Sequence, residues 1–323
     1  MSEINNSLRD FLNKYGFTIL MLVLVFILLL FVLKKINLQK NNCETIKDQN
    51  NDFTFYSFNE LRRANYFKSG ESNDYTCKLK DFYFKSAYNS FCSGELYNDY
   101  VDECAIENCA ISGVRFLDMQ VFSLNSIPII AMNYDNNYFQ KDSYNHISFK
   151  DGMEKINELF IKTPPKGELS GFPLFLHLRL NYASAKTNGN GSKKQSFYKN
   201  IHDTIKETFD KSKLFTENQR IFYDDYDGSR EHIIANLPIE QCENKLFIFI
   251  TLNDNSNTID DFIDSDLNKI TDLLSTKEQS ISVLYSDEII DDNYISFQGL
   301  TKRRMVVSLP ELNQTSSNNY DFS

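Results

Sequence analysis

The chain has 323 residues, enough for one large α/β domain or two ordinary ones, and its 41% apolar content can fill a core. A formal net charge of -10, with only short basic clusters, excludes a protein that grips nucleic acid through a basic face. Six cysteines without a CxxC pair and four scattered histidines argue against a structural zinc site. The cysteine density is ordinary for a reduced protein, so disulfides are not expected.

The first element along the chain is residues 17–33, FTILMLVLVFILLLFVL, seventeen positions with Thr18 the lone polar one. As a helix this run spans roughly 25 Å at about 1.5 Å per residue, close to the thickness of a thin bilayer. It is longer than a secretory signal core and ends in Lys34, Lys35 and Ile36, where a cleavage site needs small residues. It therefore predicts an uncleaved single-pass anchor in contact with membrane lipid, with residues 1–16 as its N-terminal flank. Arg9 and Lys14 before it, against Lys34, Lys35 and Lys40 after it, lean toward a domain on the cytosolic or equivalent interior side. Residues 34–52 read as a linker, because INLQKNNCETIKDQNND from position 36 has low hydrophobicity and no period.

Residues 53–323 carry the soluble domain. Short apolar-aromatic runs predict strands at 79–86, 114–122, 127–132, 173–180, 245–252 and 304–309. Helices are expected at about 96–110, 149–160, 196–211 and 260–275, the second with Phe149, Met153, Ile156 and Phe160 at helical spacing. Strand and helix alternate, which predicts a parallel sheet. That many units suit a (β/α) barrel, which needs about 250 residues, with a doubly wound sheet as the rival. Neither a G-x-G-x-x-G after the first strand nor a Walker motif is present. TNGNGSKK at 187–194 reads as a plain loop or, through Lys193 and Lys194 at a helix start, as a phosphate contact.

The order of several segments points further. KSAYNSF (85–91), GVRFLDMQVFS (113–123), PIIAMN (128–133), SFKDGMEKI (148–156), PLFLHLRL (173–180) and KRRMVVSLPELNQTSSNNYDF (302–322) follow one another. This series resembles the X region of phosphatidylinositol-specific phospholipase C and its wider phosphodiesterase superfamily. It is most similar to a variant found in large DNA viruses of algae and amoebae, whose first strand also ends in an AYN-type motif. The resemblance covers residues 78–323 and implies an irregular TIM-type barrel behind the anchor. It also implies a chemistry in which one histidine takes the proton of the inositol 2-hydroxyl and a second protonates the leaving lipid alkoxide. Calcium or an arginine offsets the phosphate charge.

The resemblance also locates departures. Where the family has its first histidine this chain has Tyr88, between Ala87 and Asn89, and a phenol of ordinary pKa about 10 is a poor base. The second histidine falls at or near Met132, which has no proton to exchange. Asp118 takes the first acidic position, Gln120 stands where an aspartate ligand or an arginine belongs, and Arg179 replaces a calcium-binding glutamate. Asn89 and Asp118 make a thin shell for calcium, which takes about six to eight oxygens, so no metal or cofactor is expected. Tyr88, His177 and Arg179 are thus the candidates for any remaining catalysis, and Asn89, Asp118, Gln120 and Met132 the candidates for ligand contact. Period two puts positions 177 and 179 on one face, where Arg179 binds a phosphate or forms a buried ion pair with Asp118.

Three readings stay open at this level. One is a degenerate enzyme acting as a binding or structural component of a viral or host internal membrane, with a phospholipid headgroup as its ligand. Another is an active phosphodiesterase with a site rearranged around His177, Arg179 and Tyr88. The third is a barrel plugged by Tyr88, Phe91 and Phe116. The resembled family continues past a loop like SSNNYDF with a further strand, which implies an edge after Ser323 open to a protein partner or filled from residues 53–78.

Overall fold

The structure is a computed structural model describing residues 2–49, 78–79, 82, 84–94, 99–133, 141–163, 171–182, 191–215, 237–252, 259–276, 283–285 and 307–309. Helix α1 (Ser2–Gln49) is a single 48-residue rod. Its apolar residues between 17 and 33 are all exposed, none packed against the domain, with mean hydropathy reaching 3.2. By length and composition this segment can cross a membrane, and its exposure separates it from the core helix of a globular protein.

Beyond the apolar run the structure departs from the sequence reading. Positions 34–49 continue α1 as helix where an irregular linker is expected. The reason is tertiary, because local propensity is a weak prior that packing overrides. Lys35 donates to the Tyr144 hydroxyl at 2.7 Å, Gln39 donates to Asp102, and Asn42 donates to Asp99 at 2.8 Å. A disulfide joins Cys43 to Cys104, against the expectation of reduced thiols. Positions 35, 39, 42 and 43 share one helical stripe, so the contacts form a single docking face.

The domain is built on a seven-stranded sheet ordered β4-β3-β2-β5-β6-β7, with the short β1 beside the start of β2. Its strands are β1 (Ser86–Ala87), β2 (Phe116–Leu124), β3 (Ile127–Ala131), β4 (Ile147–Ser148), β5 (Leu174–Asn181), β6 (Leu246–Leu252) and β7 (Leu273–Thr276). β1, β2, β5, β6 and β7 run parallel, but β3 pairs antiparallel with β2, and β4 with β3. The sheet is therefore mixed, where strand and helix alternation predicts a parallel one. Asn125 and Ser126 cause the reversal: both have positive φ, 52° and 69°, which makes the tight two-residue turn whose twist suits a hairpin. A parallel pair, β8 (Val283–Tyr285) with β9 (Val307–Leu309), stands apart from this sheet, and among the described residues no pairing closes the sheet into a barrel. The expected edge after Ser323 and its filling from 53–77 lie outside the described residues.

Helices α2 (Glu103–Ile111), α3 (Phe149–Ile156, continued by a π-helical turn Asn157–Lys162) and α4 (Gly191–Thr208) cover one face of the sheet. Phe149, Met153, Ile156 and Phe160 are all buried there, as their spacing predicts, with Phe197, Tyr198, Ile201 and Ile205 of α4 beside them. Against these helices stand the odd-numbered apolar residues of β2 and the even-numbered ones of β5 and β6, such as Leu117, Leu176 and Ile248. Ser148 caps α3 by accepting from the Asp151 amide at 3.2 Å, and Asp102 caps α2 by accepting from the Cys104 amide at 2.9 Å. The expected helix at 260–275 is instead α5 (Ile259–Ile263), a 3-10 turn (Leu267–Ile270) and β7.

The docked stalk makes a checkable statement. A peptide map of the unreduced protein should contain one cross-linked species joining the Cys43 and Cys104 peptides. It should vanish on reduction and in Cys104→Ser; free thiols at both positions would contradict the docked arrangement.

Candidate functional site

The register places a second set of side chains on the face away from the helices. Phe116 pairs with Phe175, Asp118 with His177, Gln120 with Arg179 and Phe122 with Asn181, while Phe247, Phe249 and Thr251 of β6 extend the rows. Residues paired in register point to the same face, so these form layers along the strands. The lowest layer is aromatic: Phe175 packs on Phe116, Phe247 and Phe249 with ring centroids 6.0, 5.1 and 5.7 Å away. Leu79, Leu237 and Ile239 complete this apolar floor. Phe116 fills space as the plugged reading expects, but Phe91 belongs to the core on the helix side.

The polar layer sits on that floor. Arg179 Nε donates to Asp118 Oδ1 at 2.9 Å and Nη2 donates to Oδ2 at 2.7 Å, the bidentate fork that suits guanidinium and carboxylate. Nη2 also donates to Asn89 Oδ1 at 2.6 Å, and Nη1 to the Tyr88 hydroxyl at 3.2 Å. The Tyr88 ring lies against the guanidinium, 4.5 Å from centroid to Cζ. All but one of the N–H groups of Arg179 are thereby used within the protein.

Asn89 owes its place to a turn after β1, with φ of 45°, a left-handed conformation that asparagine tolerates better than most residues. That turn aims its backbone N–H at Asp118 Oδ2, 3.0 Å away. The Asn89 side-chain Nδ2 is buried and finds no acceptor among the described residues. His177, 1% exposed, places Nδ1 2.9 Å from Asp118 Oδ1, off the line of a formed hydrogen bond, and Nε2 2.8 Å from Thr251 Oγ1. Gln120 joins a neighbouring chain of bonds, accepting from Asn181 at 3.1 Å and donating to the Asn133 carbonyl at 3.1 Å. Met132, fully buried, packs into the helix-side core, so its side chain does not face this layer.

The electrostatics follow from burial. Burial pushes the Asp118 carboxyl up, but the Arg179 charge, then His177 and the Asn89 N–H, outweigh it and hold the group at about 2. Burial alone would lower Arg179; the charge of Asp118, with the hydrogen bonds to Asp118 and Tyr88, raises it instead. The pair is self-neutralising. Both Asp118 oxygens and Asn89 Oδ1, the acceptors a calcium ion would need, take hydrogen bonds from the guanidinium, so the donor set does not suit that ion. Lys194, a phosphate candidate from the glycine-rich stretch, is buried beside Asp261 at 3.6 Å, and residues 187–190 lie outside the described ones.

The structure thus brings Tyr88, Asn89, Asp118, His177 and Arg179 together, with Gln120 adjacent, and leaves Met132 out. Thr251 and Asn181 belong to the layer and were not among the sequence candidates. Each had a signal in period two: Asn181 continues 177 and 179, and Thr251 is the polar position on the face set by Phe247 and Phe249.

A mixed α/β sheet with helices on one face and a graded aromatic-then-polar layer on the other defines an α/β fold. Among solved structures the chain is similar to S. officinalis PLC21, at TM-score 0.52 and 14% identity, covering 76% of this chain and 32% of that one. It is likewise similar to L. pealei PLC21, at TM-score 0.51 and 14% identity over 76% and 32%. At that identity the likeness shows the fold alone, and this chain spans about a third of the length of those proteins. No family model matches the sequence, and no curated protein does.

Two outcomes test the site. Arg179→Met, which leaves Asp118 buried without its partner, should destabilise the protein by about 3–5 kcal/mol in chemical denaturation, and Asp118→Asn with Arg179→Met should recover most of that. The Asp118 carboxyl titrates at 3.8 unfolded and about 2 folded, so its contribution is complete above the higher value. As pH falls through that window the unfolded chain takes the proton first and stability drops; the double variant should lack this acid-dependent component.

Proposed function

We propose that this protein is a membrane-anchored phospholipase-C-like barrel that has lost phosphodiesterase turnover and acts as a binding or structural component of its membrane. The observation that supports it is the near-complete use of the Arg179 N–H groups within the protein. Among the described residues of this layer, the cation positioned to meet a phosphate, Arg179, is held by Asp118, Asn89 and Tyr88, and a substrate would have to break that network. Tyr88 lays its ring against the same guanidinium and accepts a hydrogen bond from it at the hydroxyl oxygen, which is a packing role rather than that of a base. We assign no metal or cofactor. The exposed apolar stretch of α1 supports the single-pass anchor, and residence in a viral or infected-cell membrane rests on the sequence resemblance alone. The Cys43–Cys104 bond favours an oxidising side for the domain, against a flanking charge bias of one lysine.

A second reading, an active enzyme with a rearranged site, has one observation in its favour: His177 stands between Asp118 and Thr251 like an oriented base. Its 1% exposure among the described residues weighs against the approach of a substrate oxygen, which is why we place this reading second.

The test is turnover by the purified full-length protein on phosphatidylinositol in mixed micelles and on a soluble aryl phosphodiester, with and without calcium. Arg179→Ala and His177→Ala serve alongside. The expected result is no turnover above buffer for any of the three proteins. Turnover by the unsubstituted chain that both substitutions abolish would sink the proposal in favour of the second reading.

A further inference from the structure

We infer that the loop carrying Tyr144, together with Tyr100, is a lipid-contact surface resting in the headgroup layer of the membrane that α1 crosses. The anchor is then a strut that fixes the height of the domain, not a tether. This rests on the single-pass reading of α1.

The argument starts from position along the helix. Lys35 lies two residues beyond Leu33, the last apolar residue of the run, which at about 1.5 Å per residue is roughly 3 Å past it. The polar layer on each side of a bilayer is about 5–7 Å deep, so Lys35 falls inside it. There its ammonium bonds the Tyr144 hydroxyl at 2.7 Å and sits over the Tyr144 ring, 4.1 Å from the centroid. Tyr144 remains 46% exposed, and Tyr100 packs beside it with ring centroids 5.3 Å apart. Two tyrosines and a lysine at this depth are the residues that suit an interface, each with an apolar body and a polar tip.

The loop cannot leave that level easily. Asn145 exchanges hydrogen bonds with Val101, accepting at 2.9 Å and donating at 2.7 Å, and the Tyr144 amide donates to the Asp99 carbonyl at 2.9 Å. Gln39, Asn42 and Cys43 then hold the same segment of the domain along the stalk. The charges are sorted by height as well. Asp102 and Asp99 meet Gln39 and Asn42, about 6 and 10 Å further out along the helix than Lys35, so these two acidic groups stand away from lipid phosphates while the lysine stands among them. The loop also hangs from the strand that borders the polar layer, because the Asp142 amide donates to the Met132 carbonyl at 2.8 Å. Fixing its height therefore fixes the height of that layer.

The chain contains no tryptophan, so each substitution to tryptophan gives a single reporter. Full-length Tyr144→Trp, Phe26→Trp and Lys206→Trp are placed in phosphatidylcholine nanodiscs carrying either headgroup-nitroxide lipid or chain-brominated lipid. Lys206, exposed near the end of α4, takes no part in the contacts that dock the domain on α1. The expected result is at least twofold quenching of Tyr144→Trp by the headgroup nitroxide, none of Lys206→Trp, and quenching of Phe26→Trp by the brominated chains. Tyr144→Trp as unquenched as Lys206→Trp, with Phe26→Trp still quenched, would overturn the inference and leave the anchor standing. An unquenched Phe26→Trp would overturn both.

Discussion

The buried pair of Asp118 and Arg179 is the constraint on which the inner face of this domain depends. An ionised carboxylate beneath the surface is tolerable only with a partner and satisfied lone pairs, and Asp118 recruits Arg179 and the Asn89 amide to that end, with His177 beside them. Satisfying the guanidinium in turn draws in Tyr88 and the Asn89 side chain from the turn after β1. The turn itself is tied to β2, since the Ser90 amide donates to the Asp118 carbonyl at 2.7 Å. One pair thus joins three separate segments of the chain, and the left-handed backbone of Asn89 is the local concession that lets them meet.

Beneath the pair lies an aromatic floor, and the two layers support each other. The stacked phenylalanines exclude water from below, which strengthens the ion pair by lowering the local dielectric. The pair, with Thr251 and His177 bonded to one another, presents few open hydrogen-bonding groups above the floor. Nearly all of the Arg179 N–H groups are thus taken up by side chains of this chain. The proposed binding or structural role leans on that occupancy more than on the replacement of two histidines.

The long strands were legible because their signals are strong and local. β2, β5 and β6 are apolar runs of strand length, and α3 carries Phe149, Met153, Ile156 and Phe160 at an unambiguous period. The meeting of positions 177 and 179 on one face followed from period two. The antiparallel hairpin was not read, because Asn-Ser is a weaker turn signal than Asn-Gly, although its geometry is the same. The helical stalk was missed for a different reason. Residues 34–49 have no amphipathic stripe, and what orders them is a set of partners far along the chain: Asp99, Asp102, Cys104 and Tyr144. Met132 packs on the helix side, and a resemblance in position does not indicate which way a strand end turns.

The stripe formed by Lys35, Gln39, Asn42 and Cys43 has a consequence for the part of α1 that carries no polar group. A continuous helix transmits its own rotation, so docking one side of the stalk fixes which way every side chain from 17 to 33 points around the helix axis. Among the described residues the domain docks on that side of the stalk, so the rotation of the apolar turns is indexed to the orientation of the domain.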